Sequence, residues 1–206
     1  YDDVVATLKH EISVKYDNHL NTGIFGTQFF FETLALNGLN DIAYNAMNQE
    51  DFPSFGNWIK QGATVTWEKW NGADSRNHPM FGGGLTWFYR ILAGVNVDAE
   101  RPAYEHIIIK PILDKRLPEV YYSHMTPYGE VVSEIRQTGR NLEMNVTVPV
   151  GSTATIYIPV GGNTSEVTES GISVRDSKDV RFERIQDGNC IVRVPQGKYK
   201  FKVDNQ

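Results

Sequence analysis

One glutamate stands among residues whose types suit chemistry on a sugar. In the stretch TWEKWNG (66–72), Glu68 follows Trp67 directly and precedes Trp70 by two positions. Sugar rings have apolar faces that stack on aromatic planes and hydroxyls that demand hydrogen-bond acceptors, so a carboxylate between tryptophans has the equipment of a sugar-binding or sugar-cleaving site. The plainer reading of the same stretch is a surface glutamate beside two core tryptophans. If Glu68 lies in a cleft lined by Trp67 or Trp70, partial desolvation favours its protonated form and moves it toward the working range of a general base. Glycoside hydrolysis calls for two carboxyl groups. Between residues 50 and 90 Glu68 is the obvious candidate, and a second is not.

Other chemistries score poorly. HEISV (10–14) opens like a zinc-protease helix, but Val14 occupies the position of the second histidine. His19, His78, His106 and His124 are far apart in sequence and have no cysteine near them, so each reads first as an ordinary hydrogen-bonded histidine. No Gly-x-Ser-x-Gly elbow is present. Gly82, Gly83 and Gly84 precede a helical stretch, yet without a preceding strand or a following Lys-Ser or Lys-Thr they make a poor phosphate loop and read as a permissive tight turn. Cys190, the single cysteine, sits in the strand-like NCIVRV and reads as a packed thiol. No metal or cofactor is expected.

The elements that must position these residues change character along the chain. Its 206 residues are 40% apolar and carry a formal net charge of -5, enough to bury a core and without the basic run that nucleic acid or an anionic membrane would require. No apolar run reaches the ~18 residues of a membrane span. The N-terminal YDDVVATLKHEI has neither a basic leader nor an initiator Met, so the chain reads as part of a longer one. All four tryptophans and eight of ten phenylalanines precede residue 90, whereas thirteen of nineteen valines follow residue 100.

The first part has helical spacing. Val4, Val5, Leu8 and Ile12 predict one helix; Phe29, Phe30, Leu34 and Leu36 predict a second, N-capped by Thr27 and ending at Asn37-Gly38; LNDIAYNAMNQ from 39 predicts a third, capped near Asn40. TWFYRILAGV (86–95) predicts a further helix. Between them, residues 50–90 read as a structured loop region on a helical scaffold, where catalytic groups commonly sit. After Pro102 the pattern becomes short β-branched runs bounded by turn residues: about eight strands, implying an antiparallel sandwich. Hairpins are expected at 138–141, 161–163 and 186–189. The boundary falls between residues 97 and 104, giving domains 1–100 and 101–206.

The strings HLNTGIFGTQFF (19–30), NQEDFPSFGNWIKQGATVTWEKWNG (48–72), SRNHPMFGGGLTWFYRILAG (75–94) and IIIKP (107–111) resemble the C-terminal part of bacterial alpha-L-rhamnosidases of glycoside hydrolase family 78. The resemblance runs in order over residues 1–111 and weakly beyond. It implies an α+β chain: the last helices of an (α/α)6 toroid followed by an antiparallel β-sandwich. It also implies cofactor-free, inverting removal of terminal alpha-L-rhamnose, with Glu68 as general base and His78 as a ligand of the sugar hydroxyls. Trp67 and Trp70 then divide between substrate wall and core. The family commonly has Arg and Asp where this chain has Lys69 and Asn71, which alters the charge around Glu68.

The family's general acid lies on earlier helices, so the isolated chain is expected to be inactive and its partner to be the upstream part of the same polypeptide. The substrate implied is a rhamnose-containing glycoside or polysaccharide. A non-catalytic carbohydrate-binding unit, or a toroid glycosidase acting on another sugar, is the alternative. Apolar faces left open by missing helices predict self-association. Consumption of plant or bacterial polysaccharide suits a periplasmic or secreted enzyme, although no export signal is visible in this stretch.

Overall fold

The change of sequence pattern is a change of architecture. A computed structural model of the chain describes residues 1–160 and 166–204; the turn expected at 161–163 lies outside them. The chain divides into two compact units, residues 1–87 and 88–206.

The first unit is helical. Helix α1 (Asp2–His10) begins on Asp2 and Asp3 and ends on Lys9 and His10, charges that match the two ends of a helix dipole. It widens into a π-helical turn, Glu11–Lys15, whose last bond runs from the Tyr16 N–H to the Glu11 carbonyl. Helix α2 (Thr27–Leu36) follows. Thr27 does not cap it, because Gly26 holds the cap position and the Thr27 hydroxyl is already inside the first turn, donating back to the Gly23 carbonyl at 2.9 Å. Its other end is the expected one: Gly38 at φ +74° donates to Ala35 O, and Leu39 N–H reaches back to Leu34 O at 2.8 Å, a Schellman closure.

Helix α3 (Asn40–Met47) starts one residue earlier than an Asn40 cap requires, with Leu39 at the cap position. Asn40 is released for another task, accepting the indole N–H of Trp87 at 2.8 Å in the buried interior. Helix α4 (Phe55–Lys60) is short and capped by Ser54, whose hydroxyl accepts the Asn57 N–H at 3.0 Å.

The triple glycine lies within a 3-10 helix, Pro79–Leu85, rather than a tight turn. Its glycines serve close approach. A Cβ on Gly83 would stand 2.5 Å from Gln28 Cβ, and one on Gly84 would stand 3.1 Å from the Phe31 ring, so small residues let this segment lie against α2. The helix expected over 86–95 is a π-helical segment, Trp87–Leu92. It ends at Gly94, whose φ of +74° and hypothetical Cβ 2.2 Å from Pro111 N admit no side chain.

The second unit is a β-sandwich of strands β1 (Val95–Val97), β2 (His106–Ile109), β3 (Glu119–Thr126), β4 (Gly129–Thr138), β5 (Asn141–Val148), β6 (Thr153–Pro159), β7 (Glu166–Glu169), β8 (Ile172–Ser173), β9 (Arg181–Gln186), β10 (Asn189–Val194) and β11 (Gly197–Asp204). One sheet has the order β1-β2-β6-β10-β9 and the other β3-β4-β5-β11-β7-β8. Alternation decides the faces: Ala154, Ile156 and Ile158 of β6 meet Met144, Val146 and Phe201 of the opposite sheet in one buried core. Cys190 belongs to that core, where burial pushes its thiol up to about 11.

The eight strands anticipated from the sequence all form. Hairpins at 138–141 and 186–189 are present, the second with Asp187 and Gly188 both at positive φ. Pairing is antiparallel except between β2 and β6, which run parallel. Strands β1, β7 and β8 are additional, with two to four residues each.

Candidate active site

The first unit holds Glu68 and His78 in one irregular loop. Two short segments lie side by side without forming a regular sheet: the His78 N–H donates to Thr66 O at 2.8 Å, and the Glu68 N–H donates to Ser75 O at 2.8 Å. Side chains reinforce the pairing. The Thr66 hydroxyl donates to His78 O at 2.5 Å, and the Ser75 N–H donates to Glu68 Oε2 at 3.2 Å. The backbone thereby brings the segments bearing Glu68 and His78 together across the intervening residues.

Those intervening residues form a closed turn. Gly72 and Asp74 both have positive φ, at 72° and 61°. A Cβ on Gly72 would lie 2.8 Å from Trp67 Cζ3, so only glycine fits both the dihedral and the space. Lys69 and Asp74 pair at 2.5 Å on the exposed side, and that hydrogen bond raises the Lys69 ammonium above its ordinary range. Arg76 fastens the inner side, its guanidinium 4.7 Å from the Trp67 ring centre and its Nε donating to Gly72 O at 3.1 Å.

Trp67 and Trp70 both enter an aromatic cluster with Trp58 and Phe81. Trp67 is only 4% exposed, between Arg76 and Trp58, so in this unit it packs the loop rather than presenting a stacking face. Trp70 is half-buried, with ring centres 4.5 Å from Trp58 and 4.3 Å from Phe81. Its indole N–H donates to Thr22 O at 2.8 Å, and the Trp58 indole N–H donates to Trp70 O at the same distance. The HLNTG segment is thus tied to the WEKW segment through the cluster.

His78 stands apart from the other histidines. Its Nδ1 is shielded from solvent and has no hydrogen-bond partner among the described residues. A buried imidazole nitrogen left unpaired costs on the order of 1–3 kcal/mol, a cost that a ligand hydroxyl would remove. His19, by contrast, is fully engaged: Nδ1 lies 3.0 Å from Tyr16 O and Nε2 lies 2.8 Å from Asp51 Oδ1. Two acceptors for two ring nitrogens select the imidazolium. Burial lowers its pKa, but hydrogen bonds to Asp51 and Tyr16 outweigh that and leave it raised. Among the described residues no group of three or more His, Cys, Asp or Glu is placed to hold a metal ion.

Sequence reasoning missed Arg76, Thr66 and Ser75. None sits in a periodic pattern, and their roles arise from pairing two irregular segments, which leaves no local signal.

Comparison with known proteins decides the family. Residues 1–92 match the bacterial alpha-L-rhamnosidase 6 hairpin glycosidase domain, and residues 94–173 match the bacterial alpha-L-rhamnosidase C-terminal domain. The chain belongs to the bacterial alpha-L-rhamnosidase family. Over 198 residues it is 30% identical to an alpha-L-rhamnosidase of Formosa agariphila, a match covering 91% of this chain and 21% of that protein. In structure it is similar to an alpha-L-rhamnosidase from Dictyoglumus thermophilum, with a TM-score of 0.88 and 34% identity over 99% of this chain and 23% of that one. The Streptomyces avermitilis alpha-L-rhamnosidase, solved with L-rhamnose bound, gives a TM-score of 0.83 and 26% identity over 98% of this chain and 19% of the other. The chain therefore spans about a fifth of the length of these relatives, and it corresponds to the end of the six-hairpin domain and the sandwich that follows.

Proposed function

We propose that this chain contributes the general base and one sugar ligand to an inverting alpha-L-rhamnosidase, and that the general acid comes from an upstream part of the same polypeptide. The observation that carries the reading is the paired loop that brings the segments of Glu68 and His78 together while leaving His78 Nδ1 buried and unpartnered. Family membership supports the substrate class, a terminal alpha-L-rhamnosyl group.

In this reading the Glu68 carboxylate takes a proton from a water molecule as its oxygen attacks the anomeric carbon. The acid on the opposite face protonates the departing glycosidic oxygen, so configuration inverts. Carboxyl groups in such a pair stand ~6.5–9.5 Å apart to admit the water. His78 meets a sugar hydroxyl. Trp67 and Trp70 act through the shape of the loop, Trp67 by filling its floor and Trp70 by joining it to the HLNTG segment. Export of the whole enzyme to the periplasm or medium fits a polysaccharide substrate.

The test is hydrolysis of a chromogenic alpha-L-rhamnoside by the full-length parent and its Glu68→Gln variant, with the first-formed anomer followed by NMR. Loss of a general base lowers kcat by about 10²–10⁴-fold while substrate binding survives. Near-normal turnover in the variant, or a product of retained configuration, would sink the assignment.

A further inference from the structure

The sandwich has a cleft of its own, on the outer face of the five-stranded sheet, with a volume of about 240 Å³. Strand register builds its floor. Ile191 of β10 lies opposite Tyr157 of β6, and Arg193 lies opposite Thr155, which in turn is level with Ile108 of β2. These positions alternate with core residues, so they share the outward face. Ile191 is only 3% exposed although it faces away from the core. Lys110 lies 5.1 Å from the Tyr157 ring centre.

The walls carry charge in equal measure. Asp98, Glu100 and Glu183 supply three carboxylates; Arg101, Arg184 and Arg193 supply three guanidiniums. Glu183 Oε1 is out of contact with solvent. It lies 3.2 Å from Arg181 Nε and 3.5 Å from Arg193 Nε, in ion-pair range but without hydrogen-bond alignment, so its accepting capacity is unspent. Beside the floor, His106 is already held, its ring nitrogens 2.7 Å from Thr153 Oγ1 and 2.9 Å from Thr155 Oγ1.

From this arrangement we propose that the sandwich carries a second saccharide site, a cleft for one neutral sugar ring. An anion would be matched by surplus guanidiniums and a cation by surplus carboxylates, but among the lining side chains the two balance, with Lys110 and Arg181 standing just outside them. Hydroxyl groups both donate and accept, so a polyol satisfies carboxylates and guanidiniums together, while an apolar ring face rests on Tyr157 on the side that Lys110 leaves open. The cleft is smaller than the ~300–1,000 Å³ that encloses a drug-sized ligand, which suits a single ring. The choice of L-rhamnose as that ring rests on the rhamnosidase reading above, and Ile108 on the same face offers its methyl group an apolar neighbour. Such a site would hold one end of a polymeric substrate to the enzyme without cutting it.

The probe is methyl alpha-L-rhamnopyranoside, observed by saturation-transfer NMR against the 206-residue chain. Saturable transfer is expected. It should weaken at least about tenfold in Tyr157→Ala and Arg193→Ala. Because a variant can fail by misfolding, the wild-type chain is also followed by hydrogen exchange, where saturating probe should protect segments 153–159 and 189–194. Absence of protection there, or tighter binding of anionic D-galacturonate at the same segments, overturns the proposal. Hydrolysis by the parent is scored separately: an active parent with a silent cleft refutes this site and leaves the catalytic reading intact, and an inactive parent with a sugar-binding cleft does the reverse.

Discussion

Ser75 and Glu68 hold each other twice: the Glu68 N–H donates to the Ser75 carbonyl, and the Ser75 N–H donates to the Glu68 carboxylate. A side chain fixed by the backbone of a neighbouring segment does not need a helix or strand to be placed with precision. The cost is dependence on whatever closes the turn between them, and that is Gly72.

Gly72→Ala should therefore destabilise the first unit more than an ordinary glycine substitution. Gly62, at φ +80° with nothing within 4 Å of a hypothetical Cβ, is the control, because it isolates the dihedral penalty of about 1–2 kcal/mol. Gly72→Ala adds a contact 2.8 Å from Trp67, worth a further ~1–3 kcal/mol of overpacking. Denaturant unfolding of the two variants measures the difference, and equal losses would refute the role given to Trp67 as the floor of the loop.

Much of this was legible in the sequence, and the failures have physical causes. Period and punctuation revealed eight of the eleven described strands and three of the four α-helices; α2, α3 and most of these strands bury one face, whereas α1 buries none of its residues and is legible by its spacing alone. Thr27 and Asn40 have the right side chains to cap a helix, but capping is decided by where the chain turns, and both turn one residue sooner. The glycine run 82–84 has a composition that fits a tight turn as well as close packing against α2, and only the Gln28 and Phe31 contacts distinguish them. Glu68 stood out by its place between two tryptophans, while its role as base and that of His78 as sugar ligand came through motif resemblance. Arg76 and Ser75 had no such route, because their meaning lies in partners that become neighbours only when the irregular segments pair.

The His19–Asp51 bond makes a pH-dependent tether between the HLNTG segment and the loop before α4. His19 is raised from its ordinary value, so its contribution is fully present below the unfolded imidazole pKa of about 6.5 and fades as pH rises through the folded value. Asp51 is lowered, chiefly by the same hydrogen bond, so its contribution is present above the unfolded carboxyl pKa of about 3.9 and fades as pH falls through the folded one. The tether is strongest between those limits. In Asp51→Asn, the His19 titration followed by NMR should move down, because burial still opposes its charge while the carboxylate is gone. An unchanged midpoint would show that Asp51 does not hold the ring in solution.

Association is the next expectation. Val4, Phe25, Phe29, Leu36 and Ile59 are each 60% exposed or more, a density of large apolar side chains that one small helical unit does not keep in water without consequence. Light scattering on the chain should give a mass above 23.3 kDa that grows with concentration. Phe29→Ser with Leu36→Ser, both on α2, should reduce it. A monodisperse monomer at all concentrations would rule the expectation out.

The two tryptophans beside Glu68 should respond differently to substitution, and the difference separates packing from tethering. Trp67 is almost wholly enclosed, with Arg76 on its face, so Trp67→Ala removes the floor of the loop and leaves a cavity, costing about 3–5 kcal/mol. Trp70→Phe keeps an aromatic ring among Trp58, Phe55 and Phe81 and deletes only the N–H that reaches Thr22 O, a loss of about 1–3 kcal/mol if that carbonyl is left unpaired. Stability and function should then diverge. In the full-length parent, Trp70→Phe at a temperature well below unfolding should retain most of its kcat, since the Glu68–Ser75 pairing does not depend on the indole nitrogen. A fall in kcat as deep as that of Glu68→Gln would make the Trp70 N–H part of the chemistry and would contradict the packing role assigned to it.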